Sequence, residues 1–475
     1  MYELVSPINL LAVLKYTGYI LMAFAAVLLV PMGAALLLDE LVAVSIYGGT
    51  FLLTAGAGVF LHRVLPDYEL ELKEAVILAA LVFPFCSLIC AFPMALSTDL
   101  SYQDAFFECV SGLTTTGLSV APAGMGPHFL FTRAWLQWIG GIGIIVLVLG
   151  VLIRPGTTAF RLYRVNLGES RVRPGVIATA RLLGRVYLGL TVASFLLLLA
   201  GGMSGFDALS HALSAISTGG FSTRSESIAA YPGFLLPGII GLSSLMGAVS
   251  FSLYPGLFKS FEGLRGDLQF RYLLKLSVAG TVLFAFTLAP GPEMSGFLPA
   301  AAFQVISALT TTGFSTMDLG PVSDASKLFL SALMCIGGSM GSTAGGIKIF
   351  RLIVVISLIK RVFFRFFLPR EAITPLKVNG NVIEADEVYN LAAFVLLYLG
   401  LLISSAFIFM LAGTGASDAL FEVSSALATT GLSVGVTAPD LPLYLKLVLC
   451  ADMLLGRIEI IPLCILLLPQ TWIRS

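Results

Sequence analysis

The stretch that decides the fold is SALTTTGFS at residues 307–315, because close copies of it occur at three other places in the chain. The copies are SGLTTTGLS at 111–119, SAISTGGFS at 214–222 and SALATTGLS at 425–433. When the four strings are aligned they share one glycine column, formed by Gly117, Gly220, Gly313 and Gly431. Four copies in register predict four structurally equivalent units.

The composition of the chain indicates a protein of the lipid bilayer. Apolar residues make up 57% of the chain and charged residues 11%, the net charge is zero, and the mean hydropathy is +0.97. These values are far from those of a soluble domain. The apolar run from Ile8 to Leu38 is interpreted as a retained membrane helix, because no small-residue cleavage site follows it. The six cysteines lie mostly inside apolar runs and are interpreted as packing residues.

The spacing of apolar runs predicts how the chain crosses the membrane. A spanning helix needs roughly 20 mainly apolar residues, and two such runs precede the first copy. Each copy then lies between two long apolar runs and directly follows a stretch of about half a span, which can only enter the bilayer and turn back. We therefore predict an all-α polytopic membrane protein with ten spans: two N-terminal helices and four M1, pore helix, M2 repeats around a central ion pore. The predicted boundaries are 1–66 for the leading helices and 67–165, 166–262, 263–370 and 371–475 for units 1 to 4.

Lysine and arginine set the predicted orientation. They concentrate in three short segments, 154–185, 259–275 and 360–377, which lie at the ends of the units away from the Thr/Gly turns. By the positive-inside rule these segments and the N-terminus are cytoplasmic, and the turns face outward. Contact with anionic membrane lipid is the simplest further role of the basic segments, and docking of a cytosolic partner is the alternative.

The repeated turns are predicted to bind a cation. Backbone without helical hydrogen bonds is tolerated at membrane depth only where protein or a water-filled cavity surrounds it, so four such turns indicate a shared aqueous axis. A ring of backbone carbonyls can replace the hydration shell of a potassium-sized ion, and the negative ends of the half-helices favour a cation. The candidate K+-binding filter residues are Thr115, Thr116, Gly117, Thr218, Gly219, Gly220, Thr311, Thr312, Gly313, Thr429, Thr430 and Gly431.

Three further strings accompany the turns: QWIGGIGII at 137–145, GGSMGSTAGGIK at 337–348 and MLLGRIEI at 453–460. With them, nearly the whole chain resembles the Trk/Ktr/HKT superfamily of potassium transporters, and specifically its bacterial TrkH-type members. The resemblance implies that the four shared glycines are filter glycines. In plant relatives a serine at the first of these positions accompanies sodium transport, so Gly117 implies a preference for potassium, with sodium accepted less well.

The resemblance also implies partners and a location. It implies a homodimer in the bacterial cytoplasmic (inner) membrane, with one pore in each protomer. It further implies gating by a cytosolic nucleotide-binding ring subunit (TrkA/KtrA-like), since this chain carries no dinucleotide-binding fingerprint of its own. No covalent cofactor, no enzymatic activity and no nucleic-acid partner are predicted.

The third unit is interrupted by glycines in a run of about 326–360. The glycines are Gly337, Gly338, Gly341, Gly345 and Gly346. Each costs a helix about 1 kcal/mol relative to alanine, so this stretch is predicted to be unwound; close helix packing through small residues is the alternative. The resemblance implies an intramembrane gating loop here, with Lys348 and Arg351 at its cytoplasmic end. A phosphate-binding loop is not predicted, because the lysine comes one residue late and no soluble strand precedes it.

Several polar residues near the turns have open interpretations. Arg457 is expected mid-helix, where a charge must face the pore or pair with Glu459, Asp452 or a neighbouring unit. A structural ion pair is one interpretation, and the resemblance implies an electrostatic barrier below the filter. His211 is expected to be a packed, hydrogen-bonded residue. Five acids are predicted to cap the half-helices and to attract cations: Asp104, Glu108, Asp207, Asp418 and Glu422.

Potassium uptake through a gated pore is thus the predicted function. The competing class is a sodium- or proton-coupled secondary transporter with broken helices at a midplane site. That class predicts inverted repeats, whereas the four Thr/Gly turns are predicted on one face. A receptor or scaffold would not explain four filter-like strings.

Overall fold

The computed structural model describes residues 8–68, 70–147, 176–257, 262–288, 294–369, 374–467 and 469–472. Within these ranges the chain is mostly helical, and its one sheet pairs β1 (Lys377–Val378) with β2 (Asn381–Val382) in antiparallel register. The prediction of an all-α protein is confirmed. In chain order the helices are α1 (Leu10–Leu37), α2 (Leu41–Val64), α3 (Leu72–Leu96), α4 (Tyr102–Leu113), α5 (Pro127–Leu147), α6 (Val176–Ala200), α7 (Gly205–Ile216), α8 (Leu235–Ala248), α9 (Tyr254–Leu257), α10 (Glu262–Gly266), α11 (Leu268–Leu288), α12 (Met294–Leu309), α13 (Asp324–Ile336), α14 (Ile349–Arg365), α15 (Ala385–Leu411), α16 (Ala416–Leu427), α17 (Leu443–Arg457), α18 (Ile461–Leu467) and α19 (Pro469–Trp472).

Six helices of the described residues are long and apolar enough to cross a membrane. Two of them, α1 and α2, lead the chain, and the other four, α3, α6, α11 and α15, each open one of the repeated units. Much of the surface of these helices is apolar and exposed, as expected of helices that face lipid. The chain is a multi-pass membrane protein.

A short helix follows each of these four. The helices α4, α7 and α16 have 12 residues each, and α12 has 16, so all four are shorter than the roughly 20 residues that a span requires. Serine opens two of them, since Ser101 and Ser204 accept a hydrogen bond from the amides of Asp104 and Asp207. The prediction of a half-length helix before each turn is confirmed.

The second long helix of a unit is interrupted in three units. In unit 3, α13 ends at Ile336, and residues 337–348 form no helix before α14 begins, so the predicted unwinding is confirmed. The prediction of a continuous second helix is wrong in units 2 and 4, where α8 ends at Ala248 and α17 ends at Arg457. In unit 4 the break has a backbone cause, because Glu459 and Ile460 have positive φ angles of 64° and 39°, which no helix accommodates.

A second column of glycines explains how these helices pack. A Cβ atom at Gly140, Gly247 or Gly456 would overlap the carbonyl oxygen at the end of that unit's own half-helix. Any side chain there would push the second long helix away from the turn. The contacts pair Gly140 with Leu113, Gly247 with Ile216 and Gly456 with Leu427.

The units share their apolar cores. Phe107 and Val110 of unit 1 pack in the same buried cluster as Phe394 and Met453 of unit 4. The first and last units of the chain are therefore neighbours, and the four units close on one another.

Candidate ion-binding site

The four turns have the same backbone. The residue two positions after each half-helix is a threonine in the left-handed region, with φ between 51° and 56° in all four turns. Left-handed backbone is unusual for a β-branched residue, and such strain concentrates at functional sites. The turns also share one hydrogen bond, of 2.8 to 2.9 Å, from the amide that follows each of these threonines to the carbonyl of a serine inside the half-helix. The threonines are Thr115, Thr218, Thr311 and Thr429.

The turns meet in a ring. A Cβ atom on each shared glycine would overlap a carbonyl oxygen of the next unit, so each glycine lies directly against that oxygen. The contacts close in the order 1, 2, 3, 4, since the last unit returns to the first. The four pairs are Gly117 with Gly219, Gly220 with Thr312, Gly313 with Thr430 and Gly431 with Thr116. We refer to these four carbonyl groups and the glycines against them as the ring.

Several oxygens of the ring turns are left without protein partners. The hydroxyls of Thr115, Thr429 and Thr430 are buried and accept or donate no hydrogen bond among the described residues. Burying a polar group without a partner is costly, so such groups call for an explanation such as a bound ion. Carbonyl and hydroxyl oxygens are the ligands that hard cations take. The predicted filter residues are thus brought together, and their chemistry fits a cation that has lost its water.

One side of the ring opens to a cavity of about 560 Å³, which we call the vestibule. Gly117, Gly220, Gly313 and Gly431 lie at its base, and the side chains of Arg133 and Arg224 lie in its wall. Both arginines are paired with acids: Arg133 Nη1 lies 3.1 Å from Glu108 Oε2, and Arg224 Nη2 lies 2.9 Å from Asp207 Oδ2. Because each arginine is paired with an acid, a cation that enters the vestibule can reach the ring without meeting an unpaired positive charge from either of them.

The prediction that the five acids cap the half-helices is wrong. Serine hydroxyls accept hydrogen bonds from amides in the first turn of α4 and α7, and α16 has no side-chain cap. Glu108 and Glu422 lie in the middle of their helices. Both side chains are fully buried and bind the segment that follows the turn instead of the helix N-terminus. The Oε1 atom of Glu108 accepts hydrogen bonds from Val120 N (2.8 Å) and Ala121 N (3.1 Å). The Oε1 atom of Glu422 accepts hydrogen bonds from Val436 N and Thr437 N, each at 3.1 Å. In units 1 and 4 these carboxylates hold the segment of chain that leaves the ring.

We expect Glu108→Ala to lower the free energy of unfolding by about 3 kcal/mol, because it leaves the buried Arg133 guanidinium without its carboxylate. Thermal unfolding of the purified protein in detergent measures this change. Asp440→Ala, which removes an exposed carboxylate, is the matched control. Equal losses in the two variants would show that the Glu108 pair does not stabilise the fold.

Asp104 and Asp418 join neighbouring units. Asp104 pairs with Lys446 of unit 4 at 2.5 Å, and Asp418 pairs with Lys327 of unit 3 at 2.7 Å. These ion pairs lie between a half-helix and the second long helix of the unit beside it. Sequence patterns did not indicate them, because the partners are far apart in the chain.

The unwound segment 337–348, which we call the loop, lies against the other side of the ring. The amide of Gly345 donates to Thr311 Oγ1 at 2.7 Å. The hydroxyl of Thr343 lies 3.0 Å from the carbonyl oxygens of Ile216 and Gly247, both in unit 2. Lys348 donates to the carbonyl of Ala344 and so closes the loop on itself. Thr343 was not among the predicted site residues, although a hydroxyl at membrane depth was the available signal.

Arg457 ties the loop to two other units. The sequence predicted it mid-helix, which is wrong, because it is the last residue of α17. The fully buried guanidinium donates to Thr343 O (2.8 Å) in the loop and to Gly140 O (3.0 Å) in unit 1. The expected contact with a neighbouring unit is therefore confirmed. The ion-pair interpretation is wrong among the described residues, since Glu459 pairs with Arg351 at 2.8 Å.

His211 is a packed residue as predicted: its ring nitrogens lie 2.7 Å from Asp207 O and 2.9 Å from Ser222 Oγ, and it stacks on Phe314. All six cysteines have free thiols, and four of them are buried. The arginines of residues 154–175 and Lys259, on which much of the predicted orientation depends, lie outside the described residues.

Comparisons with known proteins agree on one family. The model of the TrkH family, described as cation transport protein, matches residues 44–290 and 292–473. The Trk system potassium uptake protein TrkH of Halomonas elongata is 32% identical, over 98% of this chain and 99% of that protein. The protein of the same name from Escherichia coli K12 is 30% identical, over 97% and 99% of the two chains. The crystal structure of the potassium transporter TrkH from Vibrio parahaemolyticus has a TM-score of 0.87 and 28% identity, covering 98% of this chain and 100% of the other.

Proposed function

Because the chain belongs to the TrkH family of cation transport proteins, we propose that it takes up potassium across the cytoplasmic membrane through the ring of four turns. One observation carries this proposal: four equivalent turns bring four carbonyl oxygens against four glycines, and three buried threonine hydroxyls there have no partner in the described protein. Such a ring can replace the hydration shell of a potassium ion. The relatives that carry potassium uptake in their names support the choice of ion.

The filter residues of this proposal are the twelve predicted from the sequence, with Thr116, Gly219, Thr312 and Thr430 supplying the ring carbonyls. The four units, 67–165, 166–262, 263–370 and 371–475, each supply one turn. The potassium ion is cargo, and no covalent step is involved. The membrane potential would drive entry, with about 2.3 kcal/mol per charge for each 100 mV.

The loop is the proposed gate. It lies directly against the ring and hydrogen-bonds to Thr311 in one of the turns. A cation that passes the ring therefore meets the loop backbone and the positive charge of Arg457 behind it. We propose that the loop obstructs the path in this conformation and that Arg457 adds an electrostatic barrier. Gly337, Gly338, Gly341, Gly345, Gly346 and Lys348 are the loop residues predicted to permit and control its movement.

Partners and location complete the proposal. The protein acts as a homodimer in a bacterial inner membrane, in contact with lipid, with the N-terminus in the cytoplasm. A cytosolic nucleotide-binding ring subunit moves the loop from the side of Lys348 and Arg351. The exposed aromatic residues near the end of α14, Phe363, Phe364 and Phe366, support contact with lipid or a partner at that end.

Flux measurements test this function. In proteoliposomes that contain the purified protein, we expect uptake of rubidium to exceed uptake of sodium and to respond to an imposed membrane potential. A proton gradient alone should not drive rubidium accumulation if the protein is a pore. Accumulation driven by a proton or sodium gradient would instead support the competing secondary transporter. Empty liposomes are the control.

A further inference from the structure

We propose that Gln137 of unit 1 is a positioning residue that sets the ion specificity of the ring by holding the turn of unit 2. This inference rests on the proposed potassium uptake and deepens it. The Gln137 side chain is fully buried in α5 and contacts the ring turn of the neighbouring unit. Its Nε2 atom donates to Gly219 O at 2.5 Å, and its Oε1 atom accepts from Phe221 N at 3.1 Å.

The chemistry of these two contacts fixes the orientation of the amide. Gly219 offers a carbonyl oxygen, which only the NH₂ group of the side chain can bind. Phe221 offers an N–H group, which only the side-chain oxygen can accept. Both ends of one glutamine are therefore used by a single turn, at positions two residues apart.

Unit 2 needs this support because its own serine does not provide it. In the other three units a serine of the half-helix binds the backbone of its own turn through its hydroxyl. The corresponding hydroxyl in unit 2, on Ser214, is buried and has no hydrogen-bond partner in the described part of the chain. The three internal contacts join Ser111 to Gly117 and Leu118, Ser307 to Phe314, and Ser425 to Gly431.

Gln137 also explains why the turn of unit 2 differs in sequence from the other three turns. SAISTGGFS has Gly219 where the other three strings have a threonine. A Cβ atom at Gly219 would overlap the Gln137 amide. A threonine at position 219 and a glutamine at position 137 therefore exclude each other. The glycine in unit 2 is needed because the glutamine in unit 1 occupies the space beside it.

The contact also changes one ligand of the ring. Gly219 O is the equivalent of the carbonyl oxygens of Thr116, Thr312 and Thr430, none of which accepts a hydrogen bond from the residues that the structure describes. An amide N–H that shares the Gly219 oxygen draws electron density away from the ion and also fixes the position of that oxygen. Ion selectivity depends on the number and field strength of such carbonyl dipoles and on the space between them. Unit 2 therefore presents a weaker and more firmly held ligand than the other units.

A double-mutant cycle tests this role. Gln137→Leu removes both hydrogen bonds at similar volume, and we expect the rubidium-to-sodium uptake ratio in proteoliposomes to fall about tenfold, as loss of roughly one net hydrogen bond to a ligand would produce. Gly219→Thr should lower the ratio at least as much, because the new side chain meets Gln137. Gln137→Ala alone should lower the ratio as Gln137→Leu does. In Gln137→Ala/Gly219→Thr the threonine has room but both hydrogen bonds are still missing, so we expect the double variant to match Gln137→Ala rather than to show the product of the two single losses.

Controls separate positioning from folding. Met453 occupies the position in unit 4 that Gln137 occupies in unit 1, three residues before the packed glycine, and Met453→Leu should leave the ratio unchanged. Thermal unfolding in detergent is measured for every variant. If Gln137→Leu does not fold, Gln137→Met provides the same test.

The outcomes are distinct. A wild-type ratio in folded Gln137→Leu would overturn the inference, and so would a double variant that regains the wild-type ratio or loses more selectivity than either single variant. A lowered ratio that always accompanies loss of the unfolding transition would assign Gln137 a merely structural role and would also overturn it. Wild-type protein that takes up neither ion would count against the proposed function itself, which the wild-type measurement tests separately.

Discussion

Gly313→Ser is expected to reduce the rubidium-to-sodium uptake ratio by about tenfold or more. Gly313 has a φ angle of 85°, in the region that favours glycine, and an added Cβ atom would overlap the carbonyl oxygen of Thr430. That oxygen is one of the four proposed ligands, so the substitution must displace it or the turn of unit 3. A loss of about 1.4 kcal/mol in the discrimination between two ions corresponds to tenfold.

A matched control separates the overlap from backbone strain. Gly124, in the wall of the vestibule, has an almost identical φ angle of 86°, but an added Cβ atom there would meet nothing within 4 Å. Gly124→Ser should therefore retain the wild-type ratio while bearing a similar backbone strain. If both serine variants lose selectivity equally, strain in the fold is the cause, and the assignment of Gly313 to the filter is wrong.

We expect release of the loop to raise rubidium uptake when no regulatory subunit is present. Arg457→Ala removes the two hydrogen bonds that tie the loop, through Thr343 O, to α17 and to Gly140 in unit 1. Only the hydrogen bond to Thr343 O is made to the loop itself, and a hydrogen bond from a charged group contributes about 1.5–3 kcal/mol, so we expect basal rubidium uptake to rise at least about tenfold. Rubidium uptake into proteoliposomes measures this change. Arg361→Gln, on α14 and away from the loop, is the charge control.

Thr343→Val distinguishes a gate from a barrier. It removes the hydroxyl contacts with Ile216 and Gly247 but leaves the charge of Arg457 in place. If the loop is a gate, Thr343→Val also raises basal uptake, and the double variant with Arg457→Ala exceeds neither single variant by much, because both release one element. An increase with Arg457→Ala and none with Thr343→Val would leave Arg457 as an electrostatic barrier only.

The sequence by itself was sufficient for the repeated parts of the site. Four copies of one string in register predicted the four turns, because equivalent local sequences give equivalent local backbones, and the shared glycines all have positive φ angles. The half-length helices followed from the thickness of a bilayer. The five glycines after Ile336 predicted the unwound loop, since helix propensity is a local property.

Contacts between units were not predictable in this way. Lys446 contacts Asp104, and Arg457 contacts Thr343, although the residues of each pair are more than a hundred positions apart in the chain. A local sequence pattern cannot indicate which of several acids or carbonyls a buried charge will contact. For the same reason the interpretation of Arg457 as one member of an ion pair was wrong. Its actual partners are backbone carbonyls, which every residue carries and which therefore leave no signal in the sequence.

The sequence alone determined that the protein lies in a lipid bilayer, that it contains four repeated units and which chemical groups each turn carries. It was sufficient for these features because hydropathy and glycine placement act locally. Only the tertiary structure decided how the four turns differ. Gly219 looked like a departure from the repeated string, and its cause is the Gln137 side chain from another unit, which fills the space that a threonine would need. Close packing excludes a threonine at position 219, and packing between distant segments exists only once the chain has folded.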